Sequence, residues 1–137
     1  MNKKVLPNPV LMEGAQTLLE EGREVVMTPL GSSMLPFIRG GKDSVTLLRK
    51  ADVTPGDMLL VCLSGKRYVL HRLIAVDGDR LTLQGDGNLV GTETCTRADV
   101  LGTVVAVNGR RVGNGRWWRR LPYIVRRVIL AILRRLI

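Results

Sequence analysis

Between residues 24 and 107 the chain is a succession of six short runs, EVVMTPL, DSVTLLRK, GDMLLVCL, RYVLHRLIAV, RLTLQ and VLGTVVAV, too brief for helices and rich in β-forming residues. PGD at 55–57, SGK at 64–66, DGD at 77–79 and GDGN at 85–88 punctuate them with turn chemistry. Six strands in about 85 residues imply a mainly β protein, a strongly bent antiparallel sheet or small β-barrel, because short strands joined by tight turns pair with their neighbours. A length of 137 residues fits one domain able to bury a core. With only Phe37, Tyr68, Trp117, Trp118 and Tyr123 aromatic, that core must be aliphatic.

The flanks read as helices. In NPVLMEGAQTLLEEG, residues 8–22, Asn8 is a candidate cap, Pro9 suits the first turn and Gly22 ends the segment, while Val10, Leu11, Leu18 and Leu19 recur near a helical period. At the other end, RWWRRLPYIVRRVILAILRRLI follows the Gly- and Asn-containing NGRRVGNGR. On a helical wheel Arg119, Arg120, Arg126, Arg127, Arg134 and Arg135 share one side, and Leu121, Val125, Val128, Ile129, Ile132 and Leu136 the other. The expected organisation is an N-terminal helical segment (1–23), a β domain (24–108), a linker (109–115) and a basic amphipathic helix (116–137).

The net charge of +9 is unevenly spread: seven arginines and no acid occupy residues 116–137, leaving +2 for the rest. Nucleic-acid binding is disfavoured, because phosphate contacts need no unbroken apolar face. The apolar run VILAIL is far short of the ~20 residues a spanning helix needs. A peripheral membrane contact is therefore expected, with Trp117, Trp118 and Tyr123 at headgroup depth and arginines such as Arg119, Arg126 and Arg134 facing the lipid surface; packing of the helix on its own domain or on a protein partner, its arginines merely solvated, is the alternative. MNKKVLPNPVLMEG has no apolar run of signal-peptide length, so a cytoplasmic protein on the inner face of the cell membrane is expected. Cys62 and Cys95 lack metal-like spacing and read as reduced thiols; no metal and no cofactor is expected.

One stretch does not reduce to scaffolding. In GSSMLP, residues 31–36, Gly31 and Pro36 mark a turn that would project the Ser33 hydroxyl and leave backbone N–H groups free of any ladder, as an oxyanion requires. A serine needs a base, and His71 in YVLHRLIAV is the one histidine. An imidazole base is oriented by a carboxylate on its other nitrogen, for which Asp86 in QGDGN is the candidate. Ser33 as a turn cap, Asp86 in an Asx-turn and His71 as a structural residue remain the alternatives.

Taken in order, GSSMLP, GKDSVTL, PGDMLLV, VLHRLI, QGDGN and LGTVVAV resemble the boxes of the signal peptidase superfamily, which includes the LexA-type self-cleaving repressors, over about residues 24–107. The resemblance implies Ser33 as nucleophile and His71 as general base. A histidine in that slot is similar to the endoplasmic-reticulum-type and archaeal branch, whereas bacterial leader peptidases place a lysine there; Lys66 is the alternative base. The acid position of the His-containing branch falls on Thr92, with Glu93 beside it, so Asp86 is expected as third member and Glu93 as its alternative. Gly31 stands where some leader peptidases carry an oxyanion serine, leaving the Ser33 N–H as donor with help from Ser32. The resemblance implies cleavage at small residues, the substrate adding as a strand, with Met34 and Leu35 lining side-chain pockets or serving as core; a leader or precursor peptide as substrate is expected from the compact body with its basic C-terminal helix, not from the motifs. A non-cleaving peptide-binding or membrane-docking adaptor is the second expectation. A DNA-binding repressor is the weakest, since 23 residues ahead of the β region leave little room for a helix-turn-helix.

Overall fold

A computed structural model of the protein describes residues 9–64 and 67–136. Among the described residues eight strands occur: β1 (Val25–Met27), β2 (Val45–Leu48), β3 (Met58–Leu63), β4 (Arg67–Asp77), β5 (Arg80–Gln84), β6 (Glu93–Thr96), β7 (Val100–Val107) and β8 (Arg110–Arg111). They form one antiparallel sheet in the order β1-β2-β7-β3-β4-β5-β6, with β8 added to β7. The sheet is strongly curled into a half-barrel, with a helix from the N-terminal side and helical structure at the C-terminal end. Register breaks at Thr46/Leu47, Leu60/Val61 and Leu73/Ala75 mark where bulges bend it.

The central strand explains why MLLVCL shows no polar alternation. Met58 and Leu60 enter one apolar cluster with Val25, Met27, Val45 and Leu47, while Leu59, Val61 and Leu63 enter a second with Leu73, Leu81, Leu83 and Cys95. Successive side chains leave a strand on opposite faces, so both faces of β3 are dry.

Two strands lie where none was expected. One is β6; the other, β8, falls in the stretch 109–115 expected as a linker. Asn108 and Gly109, with φ of 50° and 80°, turn β7 back on itself, which is Asn-Gly hairpin chemistry. The stretch is anchored again at Gly113, whose carbonyl accepts from Arg72 Nη1 at 3.1 Å.

The helix α1 (Pro9–Glu20) buries a different stripe from the one expected. Met12, Ala15 and Leu19 face the core, whereas Leu11 and Leu18 are 41% and 37% exposed. Leu19 selects this face by packing over Gly102 of β7, where an added Cβ would stand 3.2 Å from its Cδ1. Asn8 lies outside the described residues.

The C-terminal segment is two helices, α2 (Arg116–Arg120) and α3 (Tyr123–Leu136), because Pro122 cannot continue the ladder and biases Leu121 to the extended conformation it adopts. Trp118, expected at headgroup depth, is instead 1% exposed in an apolar cluster with Leu35 and Leu130. Its indole N–H donates to the Asp86 carbonyl at 2.8 Å, giving both ends of this amphipathic side chain a buried partner. Arg126 also departs from the expected outward face, being half-buried, while Arg134 is exposed but donates through Nη2 to the Gly87 carbonyl at 2.9 Å. Trp117 and Arg119 are exposed. Among the described residues no helix is long and apolar enough to cross a membrane.

Candidate active site

The turn carrying Ser33 is built from close backbone approaches. Gly31 has φ of 88°, and Gly40 packs so tightly on its backbone that a side chain at Gly40 would overlap it. Met34 accepts backbone hydrogen bonds from Phe37 and Ile38, both at 3.0 Å, and Met34, Leu35 and Ile38 sink into the core. Anchored on both sides, the turn leaves Ser33 half-buried at its crest. Neither the Ser33 hydroxyl nor its N–H has a hydrogen-bond partner among the described residues.

Behind this turn lies the QGDGN segment, and its glycines are explained by contact. Gly87 N–H donates to the Ser33 carbonyl at 2.8 Å. A Cβ on Gly87 would stand 2.6 Å from the Ser32 carbonyl oxygen, and one on Gly85 would overlap the Ser33 carbonyl. Gly87→Ala should therefore destabilise the protein by about 1–3 kcal/mol through backbone overpacking and displace the serine turn. Urea unfolding alongside a serine-reactivity assay checks this; wild-type values in both would show that the turn has room to give.

His71 sits on β4 opposite Leu59 of β3 and is 6% exposed. It lines a cavity of about 220 Å³ together with Ser33, Met27, Pro29, Met34 and Tyr68. On its other flank is a cavity of about 210 Å³ shared with Glu93, Asn88 and Gln84. His71 thus lines one cavity with Ser33 and a second with Glu93. Its Nδ1 is 3.6 Å from Glu93 Oε1, longer than a hydrogen bond, and is buried without a partner. Glu93 Oε2 is held by Arg67 Nη2. Burial pushes the His71 pKa below its ordinary 6.5; Arg67 acts in the same direction, and the Glu93 and Asp86 charges oppose it. A neutral imidazole at neutral pH follows, the form a general base requires.

Asp86, expected as the orienting acid, is committed elsewhere. Its carboxylate forms a two-pronged pair with Arg72, Nη2 to Oδ2 at 2.6 Å and Nε to Oδ1 at 3.2 Å, with both side chains at most 1% exposed. Glu93 is the carboxylate beside His71 Nδ1. The physical reason is alternation: His71 and Arg72 are consecutive on β4, so their side chains leave it on opposite faces, and the acid that follows Arg72 is parted from the imidazole. The expectation for Ser32 also changes, since Ser32 lines a separate cavity of about 390 Å³ with Leu35, Lys42 and Arg134. Met34 lines the Ser33–His71 cavity, while Leu35 joins the apolar cluster with Trp118. Lys66 lies outside the described residues.

Sequence reasoning missed Arg72. Besides Asp86 it donates through Nη1 to the Gly56 carbonyl at 2.8 Å and to Gly113, and its guanidinium lies 5.1 Å from the centre of the Phe37 ring. A charged residue inside the otherwise apolar run VLHRLI was the available signal, because such a residue is buried only with partners. Among the described residues, no group of three or more His, Cys, Asp or Glu side chains is placed to hold a metal ion. Burial raises the Cys95 thiol to about 11, so at neutral pH it is protonated and inert. No protein-family model matches the sequence, and no characterised protein matches it.

Proposed function

We propose that the protein is a serine endopeptidase in which Ser33 is the nucleophile, His71 the general base and Glu93 the acid that orients it. The observation that carries this reading is the shared cavity, lined both by a serine whose hydroxyl has no partner among the described residues and by a buried neutral histidine. In the reaction Ser33 Oγ gives its proton to His71 and bonds to the scissile carbonyl carbon. The resulting oxyanion accepts from the Ser33 N–H. His71 then returns the proton to the leaving amine as the C–N bond breaks, and water hydrolyses the acyl-serine by the same relay. Closing Nδ1 onto Glu93 from 3.6 Å is the kind of tightening that substrate binding produces. A cavity of about 220 Å³ with apolar walls suits small side chains beside the cut, in a leader or precursor peptide.

A second reading, a groove of the same shape that binds peptides without cutting them, is favoured by Arg67 holding Glu93 and by the unpaired Nδ1. A serine-directed phosphonate separates the two. Under the peptidase reading it adds to Ser33, mass spectrometry finds the adduct on the peptide containing Ser33, and Ser33→Ala abolishes it. The labelling rate should rise with pH through a midpoint below 6.5, because the lowered His71 pKa keeps the base proton-free down to that point. No adduct at any pH supports the adaptor.

A further inference from the structure

The outward face of α3 is left apolar by the fold. Leu130 is buried and Ile129 and Leu133 pack beside it, while Ile124, Val128, Ile132 and Leu136 are 51–74% exposed and Val125 is 38% exposed. At about 100° per residue, Val128 and Ile132 lie roughly opposite Leu130, so α3 has one apolar face on the protein and a second with no cover. Trp117, 60% exposed, lies just before this helix.

The charge around this face identifies its partner. The side chains of Arg116, Arg120, Arg127 and Arg135 are exposed without an acceptor among the described residues, and residues 116–137 contain no acid. A second copy packed through this same face would bring seven more arginines against these seven, with no acid in either segment to neutralise them. An anionic lipid surface supplies both missing complements, an apolar layer for the aliphatic stripe and phosphates for the guanidinium groups. The helix, 14 residues and so about 21 Å long, is too short to cross ~30 Å of hydrocarbon and suited to lying in the interface.

We propose that the outward face of α3, with Trp117 and the arginines Arg127 and Arg135, docks the protein flat on an anionic lipid surface. The inward face of the same helix holds the active-site turn: Arg134 donates to the Gly87 carbonyl, and Gly87 N–H donates to the Ser33 carbonyl. Docking therefore sets the Ser33 turn beside the lipid plane. The proposal stands independently of whether Ser33 cleaves peptides.

Co-sedimentation of the full chain with vesicles of phosphatidylcholine alone, or of phosphatidylcholine mixed with phosphatidylglycerol, tests it. Binding to the mixed vesicles is expected, weakening as salt rises, with a blue shift of tryptophan emission that Trp117→Phe removes. Val128→Ser with Ile132→Ser should weaken this binding by more than about tenfold, and Arg127→Gln with Arg135→Gln should abolish the preference for phosphatidylglycerol. Both pairs alter exposed positions, and matching thermal melts would show that the fold is intact. Failure of the wild type to bind mixed vesicles, equal binding to both vesicle types, or wild-type binding by the Val128/Ile132 variant would overturn the proposal. So would docking of an acidic peptide on this face by a chain that ignores lipid.

Discussion

Replacing His71 by alanine should slow cleavage of a peptide with small residues flanking its scissile bond by roughly 10⁴-fold or more, the scale on which a coupled nucleophile–base pair loses rate. Ser33→Ala should lose as much. The Ser33 hydroxyl has no hydrogen-bond partner to forfeit, so its thermal melt should match that of the wild type. His71→Ala removes a buried ring and should melt somewhat lower, which separates loss of stability from loss of chemistry. The double variant should be no slower than either single one, the behaviour expected of two groups that act in one proton transfer. Glu93→Gln should cost less, roughly 10–100-fold. The unneutralised Arg67 would then lower the His71 pKa further and move the acidic limb of the rate profile to lower pH. Peptide turnover followed by mass spectrometry measures all four. Substantial turnover by Ser33→Ala or by His71→Ala would remove that residue from the mechanism.

The parts of this arrangement legible in the sequence are those governed by local pattern. Short β-forming runs and turn residues located six strands, and GSSMLP located the turn that carries Ser33, because alternation and glycine placement act within a few residues. Strand β8 was missed: the Asn108–Gly109 pair is a hairpin signal, but the strand's two arginines offer no apolar pattern, and the stretch read as a linker. Which carboxylate lies beside His71 was legible only as two alternatives. Asp86 and Glu93 are only seven residues apart, and which approaches His71 depends on strand registers: Leu73 opposite Leu83, then Leu83 opposite Glu93, carry the glutamate across β5 to the histidine's side. The burial of Trp118 was equally a tertiary matter. A helical wheel ranks Trp118 with Trp117, but only the packed β domain supplies the Asp86 carbonyl that draws one indole inside.

That buried junction carries the second large effect. Asp86→Ala should destabilise the protein by about 3–5 kcal/mol, since it strands the Arg72 guanidinium, 1% exposed, without its counter-charge. For a domain of this size the melting temperature should fall by about 10 °C or more. Activity would fall with it whichever role Asp86 has, so the discriminating protein is Arg72→Met with Asp86→Leu. Replacing both partners of a buried pair by apolar groups removes the charge and its counter-charge together, and such exchanges are often neutral or stabilising. The double variant should therefore recover most of the lost stability, although the Gly56 and Gly113 carbonyls lose their donor. If Asp86 acts by bracing the loop behind Ser33, labelling of Ser33 should return with the fold and keep its wild-type pH midpoint. If Asp86 instead served the imidazole directly, the refolded double variant would stay unreactive with a displaced pH profile, and Glu93 would lose its place beside His71.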